Sequence, residues 1–156
     1  KYLALCNAKS KGNILAVNVG CRALAIAPDY RFCVTGEENT HHLISTVIDK
    51  TGNMQYSEPF YYLHDLSNGM LSPSGSMAFD IKGNLYVATE MGVQVADHNG
   101  RVRAILSLPA GRVHSLAFSG HYLFVRCGER LFVRQMKAEG HIPANGKVTY
   151  KSQGQG

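Results

Sequence analysis

One pattern recurs three times and constrains the fold of this chain more than any other feature. Leu24 to Val34, Met77 to Val87 and Leu116 to Val125 each consist of a short apolar strand, a polar turn and a second apolar strand. The turns Lys82-Gly83-Asn84 and Ser119-Gly120-His121 supply the glycine or polar residue that a tight hairpin needs. Each hairpin is followed by a third apolar stretch, at Leu43 to Ile48, Val93 to Ala96 and Leu131 to Val133. Turn residues come next at Asp49 to Asn53 and Asp97 to Gly100. A fourth, outer strand is then expected near Tyr61 to His64 and near Val102 to Leu106. The third unit passes into a polar tail from about Gly140, expected to be frayed or an edge strand.

Four antiparallel strands repeating every ~40–50 residues are the pattern of propeller blades. A lone four-stranded sheet cannot bury both faces, but sheets packed side by side around an axis can. Innermost strands crowd that axis and need small residues. Ala23-Leu24-Ala25, Ser76-Met77-Ala78 and Ser115-Leu116-Ala117 fit that place. No window keeps an apolar helical period past a Gly or Pro. The expected fold is therefore all-β, a partial β-propeller of four-stranded antiparallel sheets. The 156 residues make about three to four blades. Residues 1–140 form that unit and 141–156 a polar C-terminal tail. An unclosed propeller exposes blade faces and a sheet edge, so self-association or a partner is expected.

Composition removes several function classes. The net charge is +5, but the basic residues are spread along the chain. The densest group, Arg126, Arg130, Arg134 and Lys137, fits a solvated outer strand. No RNA-recognition or helix-turn-helix pattern accompanies it, so no nucleic-acid partner is expected. No apolar run approaches the ~18 residues of a membrane span. Cys6, Cys21, Cys33 and Cys127 contain no CxxC, which argues against a zinc ribbon or a thioredoxin-type site. Cys6, Cys21 and Cys33 lie in apolar runs, where disulfides and small core residues remain equal readings. The opening Lys1 to Cys6 has an apolar stretch too short for a lipoprotein signal. A secreted or periplasmic setting is expected over a cytoplasmic one.

The most specific string runs from Gly75 to Val95 and continues as Asp97-His98-Asn99-Gly100-Arg101-Val102. It resembles the gluconolactonase / SMP-30 (regucalcin-like) family of six-bladed propellers. That family's pattern there is D-G-M-x-x-D-x-x-G-x-L-Y-V-A-T-x-x-G-[VI]-Q-V, followed by D-x-x-G-[KR]-V. Leu24 to Phe32 is similar to the preceding family motif N-G-V-A-L-S-P-D-x-x-x-L-Y. Arg112 to Phe118 is similar to G-[KR]-V-S-N-L-A-F. The resemblance extends from about Asn13 to Gly140 and matches the C-terminal half of such a propeller.

The resemblance implies a divalent-metal hydrolase of sugar lactones and related esters, with the metal in the central channel. The ligands it implies are an N-terminal Glu, the Asn of N-G-V-A-L and the Asp of D-G-M, hard oxygens suited to Ca²⁺ or Mg²⁺. Carried over, the Asn position is Arg22 and the Asp position is Gly75. The next blade's equivalent is His114, and the Glu falls outside this chain. Neither ligand position present holds an oxygen ligand, and a guanidinium repels a cation. Shifting the alignment by one offers Cys21 or Ala23, and Ser74 or Ser76. The shared offset places Arg22, Gly75 and His114 at one mouth of the partial channel. No metal or other cofactor is expected there. A sugar acid or a partner's carboxylate is the better guest for Arg22 with His114.

The expected function is thus a catalytically degenerate propeller acting as accessory or interaction module of a larger, carbohydrate-active esterase or hydrolase. Its partners would be the remainder of a propeller, a fused catalytic domain or a second copy, with a carbohydrate or anionic small molecule as ligand. The alternative is part of a working lactonase or carboxylic ester hydrolase completed by residues outside this chain, which would restore calcium or another divalent metal. An unrelated ligand-binding or scaffolding half-propeller is the third reading. Other chemistry finds little support. No G-x-S-x-G elbow is present. The loop Ser72 to Ser76 would need His114 and Asp80 beside it to act as a nucleophile loop. Adjacent His41 and His42 on a strand point to opposite faces, a poor chelating geometry. Tyr61 and Tyr62, within an aromatic cluster with Tyr56 and Phe60, are candidates for sugar stacking or for packing between blades.

Overall fold

The computed structural model describes residues 2–5, 13–17, 21–37, 40–64 and 75–142. Strands β1 (Tyr2–Leu5) and β2 (Asn13–Val17) pair antiparallel as a separate sheet. The first blade contains β3 (Cys21–Ile26), β4 (Phe32–Glu37), β5 (His42–Ile48) and β6 (Met54–Tyr62), hydrogen-bonded in that order. The second contains β7 (Met77–Phe79), β8 (Leu85–Thr89), β9 (Gly92–Ala96) and β10 (Val102–Leu106). The third contains β11 (Ser115–Ser119), β12 (Tyr122–Cys127) and β13 (Arg130–Gln135). The innermost strands β3, β7 and β11 lie side by side, and each sheet extends outward from them. This is a partial β-propeller, and the described residues contain no helix. Consequently no helix among them is long and apolar enough to cross a membrane.

Burial follows the strand period. On β8, Leu85 and Val87 join the core between the first two blades, while Tyr86 and Ala88 join the core between the second and third. A middle blade covered on both faces needs this continuous apolar run. Ala23 and Ala25 of β3 pack toward Met77 and Phe79, and their small size lets the innermost strands approach. Cys33 is a buried free thiol, the small core residue of one of its two readings, and Cys127 is likewise buried and free. Burial pushes the Cys33 thiol up to about 11, with nearby Cys21 adding to it. Cys6 lies outside the described residues.

The strands end in a repeated turn. Asp49, Asp80 and Asp97 each take the backbone N–H groups two and four residues on with one carboxylate oxygen. The glycine at the third position donates its N–H back to the Asp carbonyl. Tyr30 takes the corresponding bend of the first hairpin at φ 59°, bonding to the Ala27 carbonyl.

Two elements differ from the sequence expectation. The outer strand of the first blade begins at Met54 rather than near Tyr61, because the Asp49 turn closes at Asn53 and Met54 pairs at once with Ile48. The stretch Gln55 to Pro59 is solvent-exposed and carries no apolar alternation to reveal it. The third blade has three strands among the described residues, not four. After Gln135 the chain turns away. Met136 donates to the His121 carbonyl at 2.8 Å and Gly140 to the Gly120 carbonyl at 2.9 Å. Ile81 donates to Glu139 and His141 to Phe79, both in the second blade's direction. The His141 ring meets Tyr30 of the first blade edge-on, with centroids 5.6 Å apart. Residues 136–141 therefore strap the turn ends of all three blades. Gly140 must be glycine here, since a Cβ would overlap the Phe118 side chain. The tail expected from about Gly140 is anchored through His141, and residues 143–156 lie outside the described residues.

Candidate functional site

The Asp turns and the strap occupy one end of the blades. The opposite, open end carries the starts of β3, β7 and β11, with Arg22, Gly75 and His114. Gly75 lies against Arg22: a Cβ built on it would stand 3.8 Å from the Arg22 carbonyl oxygen. Its φ of +97° is a conformation that side-chain-bearing residues rarely adopt. Ser76 is already committed. Its Oγ donates to the Leu116 carbonyl at 2.9 Å and accepts the Leu116 N–H at 3.1 Å. The hydroxyl thus imitates a peptide group and joins the second blade to the third.

His114 stands at the same end, but its ring is turned to its own blade. Its backbone N–H bonds to the Arg126 carbonyl at 2.8 Å, and the preceding Val113 N–H to the Thr89 carbonyl at 3.0 Å. Nδ1 accepts the Gly128 N–H at 3.0 Å. In the neutral ring the proton then sits on Nε2, which makes that nitrogen a donor. Metal-ligating histidines show the reverse arrangement, with the second nitrogen donating its proton. His114 lines an open depression of about 500 Å³ together with Arg112, Gly128, Glu129 and Arg130. Arg112 also reaches the Glu90 carboxylate at 3.4 Å. Among the described residues no three His, Cys, Asp or Glu side chains are grouped as a metal site.

Asp80 sits in a turn at the far end of its blade, its carboxylate held by Lys82 and Asn84. Asp80 and His114 thus stand at opposite ends of the blades and are not brought together. Ser72 and Ser74 lie outside the described residues. Tyr61 and Tyr62 point to opposite faces. Tyr61 is 1% exposed, edge-on to Phe60 at 5.0 Å, and burial beside Asp97 pushes its phenol up to about 12. Burial removes it from any stacking surface and makes it interblade packing. Tyr62, at 56% exposed, is the ring of the pair that faces solvent. His41 and His42 meet edge-on at 5.8 Å.

Sequence reasoning missed Gln94, which is fully buried. Its Oε1 accepts the His64 N–H and its Nε2 donates to the His64 carbonyl, both at 2.8 Å. Like Ser76, it replaces a strand partner across a blade boundary. Buried polar groups need such partners, but no local pattern announces one thirty residues away.

No protein-family model and no curated protein sequence matches the chain. Solved structures do. A gluconolactonase from Xanthomonas campestris superposes with a TM-score of 0.68 at 19% identity over 84% of this chain. The fold is that of the gluconolactonase and regucalcin propellers. A luciferin-regenerating enzyme matches with a TM-score of 0.68 at 19% identity over 83% of the chain. A calcium-binding regucalcin from Agrobacterium tumefaciens strain C58 matches at 0.67 and 20% over 86%. This gluconolactonase-type half-propeller spans 41%, 50% and 51% of those three chains respectively, about half of each.

Proposed function

We propose that this chain is a metal-free, gluconolactonase-type half-propeller that serves as an interaction module of a larger, carbohydrate-active protein, its open end receiving an anion. The observation that carries the reading is Gly75. At the position where the family resemblance implies a carboxylate, the chain has no side chain and a left-handed backbone that disfavours one, in van der Waals reach of the Arg22 carbonyl. A single Gly-to-Asp reversion would therefore not rebuild a ligand. Arg22 adds a fixed positive charge beside it, and the His114 Nε2–H, Arg112 and Arg130 offer further donors to a carboxylate. The exposed Leu24, Ile26 and Val47 on the first blade support a partner covering that face.

A working lactonase half, completed elsewhere, is the second reading. It is favoured by the names of two matched structures, a gluconolactonase and a calcium-binding regucalcin. One experiment separates the two. The full chain is assayed for hydrolysis of δ-gluconolactone with and without Ca²⁺, and titrated with Ca²⁺, Mg²⁺, Mn²⁺ and Zn²⁺ by calorimetry. The interaction reading expects no metal-dependent hydrolysis and no specific heat. Calcium-dependent turnover, or stoichiometric sub-millimolar binding lost in His114→Ala, would establish the working hydrolase.

A further inference from the structure

The outer edges of the three blades are not alike. β6 is blunted by Pro59 and Glu58 and by two register shifts against β5. β10 is short, carries Arg103 and has one register shift against β9. Such devices keep an edge from recruiting foreign strands. β13 carries Arg130 and Arg134 but no proline and no register shift. It pairs with β12 in unbroken register from Cys127↔Arg130 to Tyr122↔Gln135. The two-residue turn makes Cys127 and Arg130 the hydrogen-bonded closing pair. Alternation then aims the backbone groups of Leu131, Val133 and Gln135 away from β12. Leu131 and Val133 are 67% and 54% exposed.

Beside this edge lies an apolar cleft of about 250 Å³ between the second and third blades, lined by Leu106, Leu108, Pro109, Phe132 and Val133. At the boundary between the first and second blades the outer parts of the two blades are bonded together. There Tyr62 bonds to the Gly100 carbonyl and bridges Arg101, at the turn leading into the second blade's fourth strand. The third blade has no such turn or strand among the described residues.

We propose that β13 is a docking edge for an extended strand of another protein, apolar at alternate positions and acidic at its ends. The strand would complete the third blade by backbone pairing and cap the cleft. Arg130 and Arg134 flank the apolar pair, with Arg126 and Lys137 near in sequence and Glu129 in the turn, so the edge favours acidic ends. The same charges disfavour a second copy in the register that pairs the two apolar residues with each other. Antiparallel self-pairing that matches Leu131 with Val133 sets Arg130 opposite Arg134 twice, and like charges directly opposed destabilise a sheet. This names the partner class for the interaction reading and does not depend on the chemistry of the open end.

The test uses the full chain and a short peptide of alternating valine and threonine with glutamate at both ends, beside its lysine-ended counterpart. The glutamate peptide should bind about tenfold tighter and slow the amide exchange of Leu131 and Val133. Val133→Pro, which removes an outward N–H while sparing the ladder to β12, should abolish binding. Arg134→Glu should reverse the preference between the peptides. Equal binding of the two, or undiminished binding by Val133→Pro, would overturn the proposal. So would Leu131 and Val133 amides already protected in the peptide-free chain, which would place a second copy or another segment of this chain on the edge. Metal calorimetry reports on the open end and peptide titration on β13, so the two readings fail separately.

Discussion

The two ends of the blades are built by different rules. At the turn end one device is used repeatedly: an Asp caps two backbone N–H groups and a glycine closes the bend, at Asp49, Asp80 and Asp97. At the open end each blade differs. The first blade has an arginine, Arg22, the second a left-handed glycine followed by a serine imitating a peptide, and the third a histidine held by its own blade's turn. The repeated end is fixed by backbone hydrogen bonding that any change would leave unpaired. The variable end is joined by hydrogen bonds that differ from blade to blade, Ser76 to Leu116, Val113 to Thr89 and Gln94 to His64, so the side chains beside them can diverge in chemistry without loss of fold.

The strap offers the hardest test of this contrast. Gly140→Ala drives a methyl into Phe118 and should lift residues 136–141 from all three blades. The expected loss is about 3 kcal/mol, from overpacking and lost strap hydrogen bonds together, measured by urea unfolding. A loss near zero would mean that the strap does not hold the blades. Asp80→Ala should cost about 2 kcal/mol by the same measurement, because its carboxylate is 1% exposed and leaves the Lys82 and Asn84 N–H groups unpaired. The same change at Asp49, in an exposed turn, should cost clearly less.

Asp49 tests the turn end by pH. Hydrogen bonds from Thr51 and Asn53 hold its carboxyl at about 2, below the ordinary 3.8. A depressed carboxyl adds stability that is present above the ordinary value and lost as pH falls through the lowered one. Stability should therefore drop between about pH 4 and pH 2, and the curve of Asp49→Asn should be flatter across that window. An unchanged slope would remove the turn's electrostatic role. The smallest effect is expected at the open end: Arg22→Ala should alter stability by no more than about 0.5 kcal/mol. A loss several times larger would make Arg22 a structural residue rather than a ligand-facing one.

What could be read from the sequence follows the same division. The hairpins at Tyr30, Gly83 and Gly120 were legible because apolar alternation and turn residues act within a few positions. The start of β6 was not, since Gln55 to Pro59 face solvent and carry no pattern. The strap was not, because residues 136–141 dock through backbone groups, and what requires glycine at 140 is Phe118 on another strand. Tyr61 and Tyr62 were legible as opposite-facing, but which one is buried depends on the Gly100 turn of the next blade. At the open end, Arg22 and Gly75 could be placed by their offsets. The ring orientation of His114 depends on Gly128, across a hairpin, and no offset contains it.

The proposed open end offers donors to an anion, and among the described residues it groups no carboxylate, histidine or cysteine set for a cation. Nitrogen NMR of the His114 ring, recorded while the full chain is titrated with sodium gluconate and separately with calcium chloride, tests it directly. The expected result is an Nε2–H tautomer whose signal moves with gluconate and stays still with calcium at matched ionic strength. A ring that ignores gluconate and shifts stoichiometrically with sub-millimolar Ca²⁺ would contradict it.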